Sequence, residues 1–273
     1  MIVFPNAKIN LGLYVTSKRS DGYHNINTVF LPVKNLYDIL EVLILQDNKG
    51  EDNFTLSGLN VSGNSEDNLC LKALRIMRKY IKIPPLNIFL HKKIPLGSGL
   101  GGGSSDAAFM LKLLNEMFEA GFTEDKLEKI SSEIGADCAF FIRNNITFAE
   151  GVGNIFSPVN VDFPKYWIEL IVPQVEVSTA FAYQNIMPVQ PNIDLKKTIL
   201  SSIDSWSNKI ENNFESPIFK KYPELKKIKE KLYKKGAIYA SMSGSGSSIF
   251  GLFLQQPEIK WDKSYFVHRG GLI

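Results

Sequence analysis

The sequence predicts an α+β protein built from two lobes. Segments with the alternation typical of strands are interspersed with segments whose apolar residues recur at helical spacing. A length of 273 residues corresponds to about two domains. We place the boundary near Gly153, which gives an N-terminal lobe of residues 1–153 and a C-terminal lobe of residues 154–273.

The composition is that of an ordinary globular protein, with 44% hydrophobic and 22% charged residues. A net charge of +3 falls well short of the basic excess of nucleic-acid-binding proteins. Cys70 and Cys138 are the only cysteines and lack paired spacing, which argues against a disulfide framework or a zinc site. No apolar run approaches about 18 residues, so we expect a cytoplasmic protein without a membrane span.

Strands and one helix are predicted in the first part of the N-terminal lobe. The strand-like segments are KINLGLYV, TVFLPV, DILEVLIL and LNIFLH, and FTLSGLNVSG is predicted as a hairpin region. A helix is predicted from Asn68, because Leu71, Leu74 and Met77 recur at helical spacing.

A glycine-rich segment, PLGSGLGGGSS from Pro95 to Ser105, follows the strand LNIFLH. Apolar residues then recur at helical intervals, so a helix is predicted with Ser104 or Ser105 as its N-cap. A second helix, EDKLEKISSEIG, is expected to stop at Gly135, a residue type that favours helix ends.

The C-terminal lobe is predicted from the strand YWIELIVP, one or two helices, a lysine-rich helix and a final strand–loop–strand, AIYASMSGSGSSIFGLFL. In the lysine-rich segment FKKYPELKKIKEKLYKKG, Leu225, Ile228 and Leu232 form one apolar face, so the lysines are expected to face solvent. The alternative is a nucleic-acid-binding face.

The glycine-rich segment is interpreted as a phosphate-binding loop. Glycines lose extra backbone entropy on folding and have no side chain to pack in the core. Five glycines between Gly97 and Gly103 therefore indicate a position where a bare backbone is required. Backbone N–H groups at a helix N-terminus attract anions, and the missing Cβ atoms let phosphate approach. A Walker loop is excluded because no lysine follows the glycines, and a Rossmann loop is disfavoured because a helix comes next. A flexible linker is the remaining alternative.

Three segments together resemble the GHMP kinase superfamily, named for galactose, homoserine, mevalonate and phosphomevalonate kinases. They are NAKINLGL (Asn6–Leu13), PLGSGLGGGSSDAA (Pro95–Ala108) and SMSGSGSSIFGLF (Ser241–Phe253). The resemblance spans most of the chain and implies the two-lobed GHMP kinase fold. Its N-terminal lobe is similar to domain 2 of ribosomal protein S5, and its C-terminal lobe is ferredoxin-like.

Four further segments resemble the 4-diphosphocytidyl-2-C-methylerythritol kinases of that superfamily: RSDGYHNINTVF, EDNLCLKA, GADCAFFI and FAEGVGNIFSPV. The resemblance implies transfer of the γ-phosphate of ATP, bound with Mg²⁺, to the 2-hydroxyl of a cytidine diphosphate methylerythritol. This reaction belongs to the non-mevalonate route to isoprenoid precursors. The chain departs from the family at Asn6, where proline or serine is common, and in a short tail after Gln256 that leaves the last strand's pairing open.

The same resemblance implies Lys8 and Asp137 as the catalytic residues. Asp137 matches the base near the proton of the substrate hydroxyl, and Lys8 matches the lysine beside it. A nearby ammonium group favours the ionised form of a carboxylate and helps to orient the hydroxyl. From the residues alone, Asp137 at a loop–helix junction is explained equally well as a helix N-cap.

Substrate-binding residues are implied in the same way. Tyr23 and His24 match a cytosine-binding pair, with Tyr183 on the opposite face of the base and Thr179 nearby. Asn10 is expected to hydrogen-bond the substrate's polar tail. Stacking on an aromatic ring contributes about 1–3 kcal/mol per base. Without the resemblance, Tyr23 is an ordinary loop aromatic and His24 a surface histidine.

ATP is expected along the glycine loop, with Asn68 and Lys92 beside it. The loop residues are Pro95, Leu96, Gly97, Ser98, Gly99, Leu100, Gly101, Gly102, Gly103, Ser104 and Ser105. Asn68 is explained as well by a helix N-cap, and Lys92 either reaches a phosphate or ends a solvated strand. Ser104 offers a hydroxyl near Mg²⁺, whose ligands are left open. The small-residue loop Ser243–Ser247 is expected to close on the site.

Two other functions are compatible with the fold. A sibling kinase would act on homoserine or mevalonate, but such a substrate has no base for Tyr23 to stack on. A non-catalytic nucleotide or sugar sensor would bind ATP without turnover, which the presence of both Lys8 and Asp137 disfavours. We expect a monomer or weak homodimer with small-molecule partners and neither nucleic acid nor membrane.

Overall fold

The computed structural model describes residues 1–45, 50–59, 67–161 and 166–272. In chain order the strands are β1 (Ile2–Val3), β2 (Asn6–Lys18), β3 (His24–Tyr37), β4 (Ile39–Ile44), β5 (Asn53–Gly58), β6 (Leu86–Lys92), β7 (Thr147–Glu150), β8 (Ile155–Pro158), β9 (Trp167–Val172), β10 (Tyr239–Met242), β11 (Ile249–Phe253) and β12 (Phe266–Gly271). The helices are α1 (Leu69–Met77), α2 (Gly102–Met117), α3 (Glu124–Ser132), α4 (Cys138–Arg143), α5 (Thr179–Gln184), α6 (Leu195–Thr198), α7 (Glu215–Lys221) and α8 (Pro223–Lys234), with a 3₁₀ helix at Ile203–Asn208.

The chain forms two compact units, each assembled from separate stretches of sequence. The first unit contains Met1–Ala7, Leu36–Leu96 and Gly101–Asn145, and the second contains Lys8–Asn35, Gly97–Leu100 and Ile146–Ile273. Each unit combines helices with a sheet, which confirms the α+β prediction. The division into continuous lobes near Gly153 stays a prediction.

The first unit has one four-stranded sheet, of order β1-β4-β6-β5, together with α1 to α4. β4 is antiparallel to β1 and β6, whereas β5 is parallel to β6. α2 packs against α1, α3 and α4, and α1 buries Leu71, Leu74 and Met77 as their spacing predicts. The long α2 is therefore held on several sides, with the glycine loop leading into its first turn.

The predicted hairpin in FTLSGLNVSG is described only in part. β5 occupies the first half and pairs in parallel with β6, with Asn53 opposite Asn87 and Gly58 opposite Lys92. Parallel neighbours need a crossover connection, and α1 lies between the two strands in the sequence. Residues 60–66, which include most of the second half of the predicted hairpin, lie outside the described residues.

The second unit contains two sheets. One has the order β2-β3-β7-β8, and the other, of order β10-β11-β9-β12, is antiparallel throughout. Numbered along the chain, the strands of the second sheet lie in the order second, third, first, fourth, which is the ferredoxin-like arrangement that the resemblance implied. β12 pairs with β9, with Phe266 opposite Val172, which settles the pairing of the last strand.

The lysine-rich helix is α8, and it packs its apolar face on β10 and β11. Leu225, Ile228 and Leu232 are buried, while most of the lysines face outward, as predicted. Within the described parts of the chain, every helix is too short or too polar to cross a lipid bilayer.

Candidate active site

The middle of the glycine loop, Gly97–Leu100, lies against the small-residue loop that follows β10. The Ser243 hydroxyl donates to the Gly99 carbonyl oxygen at 2.9 Å, and the Ser248 amide donates to the Ser98 carbonyl oxygen at 3.0 Å. Gly99 has φ +80°, and a Cβ there would overlap the Ser243 carbonyl oxygen. A side chain at this position is therefore excluded both by backbone conformation and by space.

Strand β2 carries a row of buried polar side chains beside this loop. The Lys8 amide donates to the Leu100 carbonyl oxygen at 2.9 Å, and the Lys8 ammonium donates to Asn10 Oδ1 at 2.7 Å. That ammonium also lies 5.1 Å from the centre of the Phe30 ring. The side chain of Asn10 donates from Nδ2 to Thr28 Oγ1 at 2.9 Å, and the backbone N–H of Asn10 donates to Ser243 Oγ at 3.3 Å. Three segments that are distant in sequence thus meet around Lys8 and Asn10.

The residues predicted to bind a base lie on the same second unit. His24 stacks on Tyr183, with ring centres 4.9 Å apart and planes 25° apart, and Tyr183 meets Phe214 edge-on. Burial, followed by the charge of Lys18, lowers the pKa of His24, so a neutral imidazole is favoured at neutral pH. Tyr23 is 66% exposed. The structure therefore brings Tyr183 to His24, the neighbour of Tyr23.

The predicted base-binding group also includes Thr179, which the structure links to the small-residue loop. Its hydroxyl lies 3.2 Å from the hydroxyl of Ser245, within hydrogen-bonding distance. Thr179 opens α5, the helix that contains Tyr183. The loop after β10 is therefore tied to the helix that carries this aromatic ring.

Helix α2, on the first unit, begins three or four residues earlier than predicted. Gly102 is its first residue and Gly101 is the N-cap, with φ +72°, so the prediction of Ser104 or Ser105 as the cap is wrong. A left-handed residue without a Cβ turns the chain into the helix directly, which places both serines inside the first turn. Among the described residues, no side chain caps this helix. The first-turn N–H groups of α2 are thus left to a ligand or to solvent.

Asp137 lies at the start of α4, next to the first turn of α2. The side chain of Cys138, the following residue, hydrogen-bonds with that of Ser104. Burial raises the pKa of the Cys138 thiol to about 12, so it stays protonated. Over the described residues, the Asp137 side chain makes no capping hydrogen bond, and its backbone is already helical. Asp137 thus occupies the N-cap position of α4, as its alternative interpretation predicted, but without a side-chain capping hydrogen bond.

Lys92 is not at a solvated strand end, so that prediction is wrong. It is 2% exposed, and its ammonium group contacts both Asp38 Oδ2 and Asp106 Oδ2. The other oxygen of Asp38 accepts the amides of Lys93 and Ile94, at 2.5 and 2.9 Å. The Lys92 ammonium lies below the start of α2, 3.4 Å from where a Cβ on Gly102 would be. The other interpretation, in which Lys92 reaches a phosphate of ATP, stays a prediction.

Asp38 and Asp106 were missed from the sequence, although a signal for the cluster was present. In LNIFLHK the strand alternation continues through Leu86, Ile88 and Leu90 to Lys92, which places Lys92 on the buried face. A buried lysine needs acidic partners. Their identity follows only from the tertiary structure, because Asp38 lies 54 residues away in the sequence.

The buried cluster has unusual protonation. Burial raises the pKa of Asp106 to about 8, and the neighbouring Asp38 adds to this effect, while Lys92 acts in the opposite direction. Burial acts to lower the pKa of Lys92, but the two facing aspartates outweigh it and the pKa is raised. A protonated Asp106 adds no negative charge to the cluster at neutral pH.

Asn68 caps α1, as one of its two sequence interpretations predicted. Its Oδ1 accepts the Cys70 amide at 2.9 Å. Its suggested place beside a nucleotide base stays a prediction. Among the described residues, no group of three or more His, Cys, Asp or Glu side chains is arranged to hold a metal ion.

Sequence profiles of one family match both halves of the chain. The GHMP kinases N terminal domain matches residues 68–145, and the GHMP kinases C terminal profile matches residues 194–263.

Curated relatives are similar over almost the whole chain. A 4-diphosphocytidyl-2-C-methyl-D-erythritol kinase of Bacteroides fragilis is 53% identical over 266 residues, which covers 97% of this chain and 96% of that protein. The protein of the same name from Bacteroides thetaiotaomicron is 50% identical, with 100% of both chains covered.

Solved structures show the same relationship. A 4-(cytidine 5'-diphospho)-2C-methyl-D-erythritol kinase is 30% identical with a TM-score of 0.78, covering 92% of this chain and 90% of that chain. The homoserine kinase of Cytophaga hutchinsonii, 21% identical with a TM-score of 0.64, covers 90% of this chain and 84% of that chain and shares the fold.

The raised pKa of Asp106 predicts a pH-dependent contribution to stability. The folded state holds this proton up to about pH 8, while an unfolded chain releases it near the ordinary value of 3.8. The stabilisation is thus complete below about pH 4 and is lost as the pH rises through 8. Asp106→Asn removes the titration, so its melting temperature should fall less than that of the wild type between pH 5 and about pH 8.

The matched control is Asp125→Asn, which changes an exposed aspartate on α3 of the same unit. Its melting curve should follow the wild type across the pH range. Parallel pH dependences for the wild type and Asp106→Asn would contradict the assignment.

Proposed function

The chain belongs to the 4-diphosphocytidyl-2-C-methyl-D-erythritol kinase family of the GHMP kinases, and we propose that it transfers the γ-phosphate of ATP to the 2-hydroxyl of that cytidine diphosphate substrate. The observation that carries the proposal is the identity of about half of all residues over the full length of relatives of this name. The reaction is a step of the non-mevalonate route to isoprenoid precursors.

The start of α2 is proposed to receive the phosphates of ATP. Its uncapped first-turn amides and the positive end of the helix dipole favour a negatively charged group there. The glycines of the loop allow this approach, because neither Gly101 nor Gly102 presents a side chain. The Lys92 ammonium beneath the first turn of α2 is already paired with Asp38 and Asp106. The backbone N–H groups of that turn are therefore the donors that remain for phosphate.

Asp137 is proposed as the base and Lys8 as the cation that orients the attacking hydroxyl. The hydrogen bond between Cys138 and Ser104 keeps Asp137 next to the first turn of α2. Lys8 is 3% exposed and held by Asn10, so its ammonium group has a fixed position. Phosphoryl transfer depends mainly on such positioning and on stabilising the charge of the transferred group.

The aromatic residues of the second unit are proposed to bind the cytosine base. Tyr23 offers an exposed ring for stacking, and the neutral His24 and Tyr183 form the adjoining aromatic surface. Thr179 opens the helix that carries Tyr183. Asn10 is proposed to hydrogen-bond the polar part of the substrate near Lys8.

Mg²⁺ is proposed to accompany ATP. Mg²⁺ usually takes most of its ligands from phosphates and water, with few from the protein. The start of α2 fits this pattern. Ser104 offers one hydroxyl in the first turn of the helix, and no group of three or more His, Cys, Asp or Glu side chains among the described residues is arranged to hold a metal ion. The metal would neutralise phosphate charge, and Ser104 would contribute at most one ligand.

The reaction is tested by measuring ADP release with four acceptors in parallel. We expect turnover with 4-diphosphocytidyl-2-C-methyl-D-erythritol and none with homoserine, mevalonate or galactose. Turnover with one of the other three alone would indicate a sibling kinase. ATP binding without turnover on any acceptor would indicate a sensor.

Asp137→Asn should lower kcat by about 10²–10⁴-fold, the usual contribution of general acid–base catalysis. The substitution keeps shape and hydrogen-bonding capacity, so ATP affinity and melting temperature should stay close to those of the wild type. Steady-state kinetics, calorimetric ATP binding and thermal unfolding check the three quantities. Asp125→Asn serves as the control, and near-normal turnover of Asp137→Asn would remove Asp137 as the base.

Tyr23→Ala should weaken binding of the cytidine substrate. A stacking contribution of about 1–3 kcal/mol corresponds to a roughly 5- to 150-fold rise in its KM. The KM for ATP should stay within about twofold, since ATP is proposed to bind at the glycine loop. Tyr80→Ala, which removes another exposed ring on the first unit, is the control. An equal rise in both KM values would refute the assignment.

A further inference from the structure

Two asparagine side chains from opposite ends of the first unit's sequence form a reciprocal pair. Asn144 Nδ2 donates to Asn6 Oδ1 at 2.6 Å, and Asn6 Nδ2 donates to Asn144 Oδ1 at 3.2 Å. Asn6 Nδ2 also donates to the Ala7 carbonyl oxygen at 2.8 Å. Asn6 is 3% exposed and Asn144 is half-buried, so the pair is partly shielded from competing water. Each side chain must supply both a donor and an acceptor, which few residue types besides asparagine and glutamine can do.

The backbone of Asn144 shows that its side chain has a specific use. Asn144 ends α4 in the left-handed region, with φ +54°, and its amide donates to the Phe140 carbonyl oxygen. Glycine fits that conformation at lower cost than any residue with a side chain. Position 144 nevertheless carries a side-chain amide, and this side-chain amide makes the reciprocal pair with Asn6.

The pair ties the C-terminal end of α4, the helix that follows Asp137, to Asn6, the first residue of β2. Asp137 is the N-cap of α4 and Asn144 its C-cap, and the six helical residues between them span only about 9 Å. A shift of the Asn144 end of this short helix would therefore displace Asp137 as well.

The other restraint on the end of α4 acts from a different side. Arg143 binds Glu128 at 2.6 Å and Glu124 at 3.0 Å, and also contacts Asp125, all on α3. These ion pairs are largely exposed. The amide pair adds a partly buried restraint at the same end of the helix, whose apolar residues are packed in the core.

We propose that the Asn6–Asn144 pair is a positioning element for Asp137, because it fixes α4 within the first unit. This inference rests on the proposed function, because that function assigns Asp137 its chemical role as the base. Neither asparagine is proposed to touch a substrate. Their effect is expected on kcat, since misplacing a reacting group by about 1 Å can cost 10²-fold in rate.

The test uses Asn144→Gly and Asn6→Ser in the full-length protein. Asn144→Gly removes the amide and relaxes the backbone, and Asn6→Ser leaves the backbone of Asn144 untouched. We expect each variant to lower kcat about 10- to 100-fold while the KM values for ATP and for the cytidine substrate change less than about twofold. The double variant should be no slower than the slower single variant, because both changes break the same pair.

The matched control is Glu119→Gly. Glu119 follows α2, is exposed, and has the other non-glycine left-handed backbone among the described residues, with φ +46°. The control therefore relaxes a similar backbone without breaking an amide pair, and its kcat should equal that of the wild type.

The outcomes separate this inference from the proposed function. A wild-type protein that fails to phosphorylate the cytidine substrate refutes the function, whatever the variants do. An active wild type whose two variants keep kcat within twofold overturns the positioning role alone. Additive losses in the double variant, a loss confined to one variant, or unfolding of both variants at the assay temperature would also overturn it.

Discussion

The close approach of the Gly99 backbone to Ser243 is the constraint on which the site depends. At that point the loop before α2 touches the loop after β10, and a Cβ would overlap the Ser243 carbonyl oxygen. At Gly102, a Cβ would lie 2.9 Å from the side chain of Ile94. At Gly99 and Gly102, therefore, neighbouring atoms occupy the space that a side chain would need. The same bareness leaves the first-turn amides of α2 without a capping side chain, among the described residues.

The charges around this loop follow a consistent pattern. The Lys92 ammonium below α2 is enclosed by Asp38 and Asp106, and burial keeps Asp106 protonated up to about pH 8 through its raised pKa. Lys92 thus acts as a brace between strand, loop and helix, and contributes little net charge. The attraction for phosphate comes from the backbone amides and the helix dipole, whose positions are fixed before a ligand arrives.

Local pattern was enough to predict most of the elements, including a helix directly after the glycine loop. The stripe of Leu225, Ile228 and Leu232 gave the orientation of α8, and the three separated segments led to the family. The N-cap of α2 was missed because serine has a high capping preference, whereas the left-handed Gly101 starts the helix earlier. The resemblance placed Tyr183 near His24 but not their direct stacking. The pair Asn6–Asn144 could not be predicted, because it joins residues far apart in the sequence.

The most direct test of the account is a crystal structure of the protein with a non-hydrolysable ATP analogue and Mg²⁺. The measured quantities are the distances from the phosphate oxygens to the backbone nitrogen atoms between Gly101 and Ser105. The account predicts that several of these distances are about 3 Å, as in ordinary hydrogen bonds. A triphosphate bound elsewhere, with those amides facing only water, would contradict it.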